Sequence, residues 1–188
     1  MGKEDLSRCI LPHATSKIRQ AEDLENIASL GFRGEALASI AAVSRFTITS
    51  CNGDESYKML SEFGVIKDIQ PCGRARGTTC EAANLFENTP VRLKFMKKPK
   101  QEQSEVTATV IQLIFSRPDI SFTYTADNEK IFSTSGGLYD AIYSVYGKDV
   151  GDNLIYHEKF FDNMKISGYI GKPGYSKHNR NYQTAVVN

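Results

Sequence analysis

The sequence predicts an α/β fold, β-rich in its first part and followed by the start of a second α/β domain. Three observations carry this reading. Helical and strand periodicities alternate from the N-terminus onward, with turn signals between them. The 188 residues are 40% hydrophobic and 24% charged, the balance of a chain with a real core to bury. No long uninterrupted apolar run occurs, which argues against a membrane-spanning helix. Met1-Gly-Lys-Glu-Asp-Leu6 also lacks the apolar stretch of a signal peptide.

The elements follow in order. A short helix is expected over Lys3 to Leu11, stopped by Pro12, and His13-Ala-Thr-Ser-Lys17 has no periodicity and reads as a loop. Leu24, Ile27 and Ala28 keep helical spacing between Glu22 and Leu30, with Gly31 where a helix-ending glycine belongs. A second helix runs from about Glu35 to Val43. Phe46 to Ser50 alternates as a strand before the Asn52-Gly53 turn, Met59 to Ile69 reads as a strand pair around Gly64, and Gly77 to Leu85 as another strand. Glu87-Asn-Thr-Pro90 is turn-like. From Gln101 to Ser116 the spacing predicts a helix with Val106, Val110, Leu113 and Ile114 on one face. Ile120, Phe122 and Tyr124 alternate, and a turn at Ala126 to Glu129 closes a hairpin. Gly136-Gly137 is the expected domain boundary, dividing 1–135 from 136–188. Beyond it come a helix ended by Gly147, strands near Asn153–Phe160 and Lys165–Ile170, and a strand-like Tyr182 to Asn188.

With 23 Lys+Arg against 22 Asp+Glu the net charge is +1, so bulk charge cannot hold this chain to nucleic acid. Any phosphate contact must come from local clusters. Cys9, Cys51, Cys72 and Cys80 form no Cys-x-x-Cys pair, and His13, His157 and His178 show no metal-ligand spacing. Reduced thiols and an intracellular, cytoplasmic setting are expected, and no metal site.

Leu30-Gly31-Phe-Arg-Gly34-Glu-Ala-Leu-Ala-Ser-Ile40 carries the most chemistry. Glycine admits positive φ and lets a ligand approach the backbone closely. The following helix start offers unpaired N–H groups, so the arrangement suits an anion or phosphate, with Arg33 and Lys17 as mobile charge. The plainer alternatives are a helix cap at Gly31, a turn at Gly34 and a solvated Arg33. No Walker A loop is present.

His13-Ala-Thr-Ser-Lys17, Gly31-Phe-Arg-Gly-Glu-Ala-Leu-Ala-Ser-Ile40, Gly77-Thr-Thr79 and Leu85-Phe-Glu-Asn-Thr-Pro-Val-Arg92 with Lys94-Phe95 together resemble the MutL mismatch-repair family. Arg117-Pro-Asp-Ile-Ser-Phe122 and Val186-Val-Asn188 fit the same pattern. The resemblance implies a GHKL (Bergerat-type) α+β sandwich, a mixed sheet with helices on one face holding ATP under a lid. It places the ATP phosphates on Gly31, Phe32, Arg33, Gly34, Glu35, Ala36 and Leu37. It assigns Thr15, Ser16 and Lys17 to the lid, and Thr78 to a strand near the adenine.

One departure stands out. The family's catalytic Glu and Mg2+-binding Asn, as Glu-x-x-x-Asn ahead of the lid, and its Asp-x-Gly-x-Gly are absent here. Glu22 and Asn26 have the spacing but follow the lid, and they read as a solvated helix face. Water attack on a γ-phosphate needs a positioned base and a metal. The expectation is therefore a piece of an ATPase region, lacking catalytic residues and continuing into a truncated second domain, with no ATP turnover and weak or absent ATP affinity alone.

Arg92, Lys94, Lys97, Lys98 and Lys100 form a basic run with no acidic residue between them. It reads either as a contact to a DNA backbone without sequence readout or as a solvated linker. What the resemblance implies for the whole protein is an ATP-dependent homodimeric clamp. It would couple mismatch recognition by a MutS-type protein to a strand-nicking endonuclease on DNA, in the cytoplasm, or the nucleus of a eukaryote. The alternatives are a non-catalytic DNA- or partner-binding module and another GHKL ATPase such as a topoisomerase subunit, the latter disfavoured by Asn88-Thr-Pro-Val-Arg92.

Overall fold

The computed structural model describes residues 1–18, 31, 33–178 and 180–187. The helix expected at Glu22 to Leu30, the Glu22 and Asn26 pair, Phe32 and Asn188 lie outside them. The chain divides into two compact units, Met1–Met96 and Lys97–Asn188.

The first unit is built on four strands, β1 (Arg45–Cys51), β2 (Ser56–Glu62), β3 (Val65–Pro71) and β4 (Gly77–Ala83), in the order β3-β2-β1-β4. Every pairing among them is antiparallel. The register sets one row of residues across the sheet: Ile69 opposes Met59, Met59 opposes Ile48, and Ile48 opposes Cys80. Because strand side chains alternate between faces, these share one side with Phe46 and Ser50. Helices α1 (Lys3–Arg8) and α2 (Ala36–Ala42) cover that side. Leu6, Ile10, Ala41, Phe46, Ile48 and Met59 close into a single buried cluster. Full burial of a Leu, Ile, Phe or Met contributes about 1.5–3 kcal/mol each, so this cluster, rather than helix propensity, holds two short helices in place.

Turn chemistry fixes the strand pairing. Phe63 and Gly64 both have positive φ (50° and 85°), the requirement of a two-residue hairpin turn. Phe63 carries that conformation with its N–H on the Ser44 carbonyl (3.0 Å) and the Arg45 guanidinium over its ring. Asn52 Oδ1 accepts the N–H groups of Asp54 and Glu55, both at 3.0 Å, to close the turn between β1 and β2. The short helix α3 (Pro90–Lys94) completes the unit, with proline in its first turn.

The second unit contains α4 (Pro99–Ser116), a hairpin of β5 (Thr123–Ala126) and β6 (Glu129–Ser133), helices α5 (Leu138–Tyr146) and α6 (Lys148–Asp152), and a hairpin of β7 (Leu154–Phe161) and β8 (Met164–Gly171). Asp127 and Asn128, both with positive φ, make the first hairpin turn. Two expectations need correction. The face of α4 that packs is Val110, Ile111, Ile114 and Phe115, while Val106 and Leu113 are exposed. The helix is rotated roughly a quarter turn from the expected stripe, because Phe115 stacks on Tyr146 (centroids 5.5 Å apart) and Ile111 adds further apolar area. Residues 180–187 are not in a strand. Arg180–Tyr182 form a 3-10 turn, and Tyr182 packs on Tyr146 at 5.0 Å instead of pairing with a sheet edge. Gly136 and Gly137 lie inside this unit, and its buried cluster draws on residues from both sides of them.

Two measurements check this packing. Phe46→Ala empties the centre of the first core and is expected to cost about 3–5 kcal/mol in urea unfolding. Phe95→Ala, at a residue 83% exposed, is expected to change stability by less than about 0.5 kcal/mol. Burial against the core, with Cys80 nearby, pushes the Cys9 thiol from its ordinary 9.0 up to about 11. Between those values the unfolded chain has released a proton that the folded chain keeps. Stability is therefore expected to fall as pH rises through that window, and Cys9→Ala to flatten the fall.

Candidate functional site

The segment His13–Lys17 leaves α1 through a turn in which the Ala14 N–H reaches the Leu11 carbonyl at 3.2 Å. His13 sits in the left-handed region (φ 61°), which turns the chain back toward the glycine loop. Thr15 Oγ1 accepts the Lys17 N–H at 3.2 Å and tightens the segment.

The loop meets this segment backbone to backbone. Gly34 has φ 68°, and a Cβ there would fall 2.4 Å from the Ala14 carbonyl oxygen and 2.9 Å from the Ala14 nitrogen. No side chain fits, so glycine is required twice over, by conformation and by space. A Cβ at Gly31 would lie 3.9 Å from Lys17 Nζ, which places the lysine ammonium over that glycine. His13 Nδ1 lies 2.5 Å from Glu35 Oε1. The sequence-predicted residues Thr15, Lys17, Gly31, Gly34 and Glu35 are thereby gathered into one constellation. Ser16 and Arg33 are exposed on the same two segments.

Helix α2 leaves this loop directly. Ala36 is exposed, Leu37 packs against the first core, and Ala38 and Ala41 are buried. Its far end is held by the turn after β4. Asn88 Nδ2 donates to the Ala42 carbonyl at 3.0 Å, and the Phe86 N–H donates to the Val43 carbonyl at 2.8 Å. These groups satisfy carbonyls that a helix C-terminus leaves open. The Asn84 amide, then Arg45, hold the Glu87 carboxylate below its usual range and fix the same turn. Sequence reasoning gave Asn88 and Phe86 no role, although both lie in the quoted Leu85 to Arg92 block.

Thr78 is on β4, opposite the fully buried Ser50. Their hydroxyls are 2.8 Å apart, and Ser50 Oγ also accepts from the Met1 amine at 2.9 Å. Among the described residues, Thr78 is thus oriented by Ser50 rather than by the glycine loop. Nothing in the sequence pointed to Ser50, since a serine within an alternating strand carries no distinguishing signal.

The basic run is divided between the units. Arg92 and Lys94 lie on α3, with the Arg92 guanidinium 6.0 Å from the Phe86 ring centroid. Lys97, Lys98 and Lys100 open the second unit, where Lys97 is already neutralised by Glu105 at 2.8 Å. All five are exposed. Among the described residues, no three His, Cys, Asp or Glu side chains gather to hold a metal ion, and no helix is long and apolar enough to cross a membrane.

No family model matches this sequence. Among curated proteins, the DNA mismatch repair protein MutL of Clostridium botulinum (strain Eklund 17B / Type B) is 39% identical over 190 residues, covering 99% of this chain and 28% of its own length. That of Caldanaerobacter subterraneus subsp. tengcongensis is 43% identical over 180 residues, covering 94% of this chain and 30% of its own. The chain therefore spans under a third of these relatives. Among solved structures, the Aquifex aeolicus MutL ATPase domain complexed with ADP superposes with a TM-score of 0.60 at 26% identity, over 75% of this chain and 56% of that one. The N-terminal domain of a DNA repair protein gives 0.72 over 96% of this chain and 59% of that one, a likeness of fold at 23% identity. With the quoted blocks in order and this identity sustained along nearly its whole length, the chain belongs to the MutL family of DNA mismatch repair proteins.

Proposed function

We propose that this chain is the part of a MutL-type ATPase region that cradles the nucleotide phosphates and carries the lid across them. One observation carries the reading: the lid backbone at Ala14 lies against Gly34 while Lys17 Nζ sits over Gly31. A polyanion needs closely approachable backbone and a cation above it, and these residues supply both. Bound ATP would bring the γ-phosphate bond whose cleavage drives the family's cycle. Toward it, Gly31 to Leu37 offer backbone donors, Thr15 to Lys17 close over the phosphates, and Thr78, held by Ser50, meets the base. The ADP in the Aquifex aeolicus MutL ATPase domain supports an adenine nucleotide as the ligand.

The Mg2+ that the family resemblance implies belongs to the whole protein, because the Asn that would hold it, in a Glu-x-x-x-Asn ahead of the lid, does not occur in this sequence. Lacking that motif and Asp-x-Gly-x-Gly, the chain alone is expected to bind ATP weakly and without turnover. In family terms, 1–135 is the ATPase portion and 136–188 the start of the second domain. The whole protein would act as an ATP-dependent homodimeric clamp in the cytoplasm, working with a MutS-type mismatch sensor and a strand-nicking endonuclease. DNA would be held through backbone phosphates by Arg92, Lys94, Lys97, Lys98 and Lys100.

In a protein carrying the complete ATPase region, Arg33→Ala or Gly34→Val is expected to abolish dimerisation induced by a non-hydrolysable ATP analogue in size-exclusion chromatography. Unchanged nucleotide affinity and dimerisation in both variants would contradict the assignment. Magnesium-dependent phosphate release by the 188-residue chain would contradict the absence of turnover. For DNA, each lost phosphate contact lowers the slope of log affinity against log salt by about 0.9. Arg92→Ala and Lys100→Ala are each expected to show that drop, and Lys97→Ala a smaller one, because Glu105 already neutralises Lys97.

A further inference from the structure

Three consecutive carbonyls at the rear of α2 are each held from another part of the first unit. The Ala42 carbonyl accepts from Asn88 Nδ2 at 3.0 Å, that of Val43 from the Phe86 N–H at 2.8 Å, and that of Ser44 from the Phe63 N–H at 3.0 Å. The fully buried Ser44 closes the same end, its hydroxyl donating to the Ile40 carbonyl at 2.7 Å. The two phenylalanine donors come at a conformational cost. Among the described non-glycine residues with positive φ, Phe63 (50°) and Phe86 (64°) alone are not Asn, Asp or His. A bulky side chain in the left-handed region is a genuine outlier, and such strain persists only where the surroundings over-determine it. Arg45 links the two turns. It donates to Glu62, just before Phe63, at 2.7 Å and to Glu87, just after Phe86, at 3.2 Å.

The front of α2 has no comparable hold. Its N-cap, Glu35, makes no side-chain capping bond, and the loop there meets the lid through the steric contact of Gly34 with Ala14. Within the helix only Ala38 and Ala41 are buried, and single-carbon side chains offer little shape to resist rotation about its axis. The seven residues span only about 10 Å, so a shift at one end is carried to the other. We propose that Asn88 is a positioning residue for the glycine loop: its bond to the Ala42 carbonyl fixes α2 from behind and so sets where the helix presents Gly34 and Glu35 at its front. Val43 and Ser44 are held by main-chain donors, which any residue but proline supplies. At Ala42 the donor is a side chain, so residue 88 is where sequence enters the clamp. Aspartate has the shape of asparagine but, when ionised, only acceptors, and would set oxygen against oxygen. The role rests on the phosphate-cradle reading for its effect on nucleotide.

The test has two arms. Without nucleotide, backbone hydrogen exchange on the 188-residue chain is read at Ser39 to Val43 and at Phe86. Asn88→Ala and Asn88→Asp are each expected to speed exchange there about tenfold, the worth of one hydrogen bond, with β2 and β3 amides unchanged as the check on folding. In a protein carrying the complete ATPase region, the same variants are expected to weaken binding of a non-hydrolysable ATP analogue about tenfold. Adenosine, which carries the base for Thr78 but no phosphates, is expected to change by less than about twofold. Unchanged exchange, an Asn88→Asp that behaves like the parent, an analogue affinity that does not fall, or an equal fall for adenosine would each overturn the positioning role. Gly34→Val separates this role from the cradle itself. If that variant leaves analogue affinity intact, the cradle is contradicted and the role with it. If it abolishes analogue binding while Asn88→Asp does not weaken it, the positioning role alone fails.

Discussion

The missing side chain at residue 34 is the constraint on which the rest of the site depends. There the backbone of the 13–17 segment meets the loop that starts α2 without clearance, and a single added carbon would sit 2.4 Å from the Ala14 carbonyl oxygen. Beside that contact, Lys17 Nζ stands 3.9 Å from where a Cβ at Gly31 would lie. Side-chain bulk at residue 34 would have forced the two segments apart. A seven-residue helix beginning at this loop would not be stable in isolation. It persists because Ala38 and Ala41 are buried beneath it and because its last carbonyls are taken by Asn88 and by the N–H of Phe86.

The sheet serves the site by register. Antiparallel pairing of β1 with β4 puts Thr78 opposite Ser50, and the buried Ser50 hydroxyl then fixes the Thr78 hydroxyl. A one-residue slip would send Thr78 to the other face and detach it from that partner. The same register brings Cys80 to the helix-covered side, where the burial of Cys9, with Cys80 nearby, raises the Cys9 thiol. Fold and site thus share one determinant, the alternation of buried Phe46, Ile48 and Ser50 along β1.

Much of this was legible in the residues. The strands from Phe46 to Leu85 announced themselves by alternation and by Asn52-Gly53 and Gly64, because period-2 patterning and positive-φ turns are local properties. The glycine loop was legible for the same reason. Less visible were features decided by partners distant in sequence. Which side of α4 packs depended on Phe115 meeting Tyr146, and the conformation after residue 179 on Tyr182 finding Tyr146 rather than a strand. Ser50 as the anchor of Thr78, and Glu35 beside His13, are pairings across 28 and 22 positions. No periodicity encodes them. The MutL resemblance supplied the neighbourhood of the lid and the loop, whereas the contacts that join them come from the fold.

The most direct test of the central claim, that lid and glycine loop together form a nucleotide-phosphate site, is residue-resolved NMR of the chain titrated with a non-hydrolysable ATP analogue at millimolar concentration. The account predicts shifts at Thr15 to Lys17, Gly31, Gly34 to Leu37 and Thr78, with the β7–β8 hairpin of the second unit silent. Shifts confined to other residues, or none at the lid and loop, would contradict it.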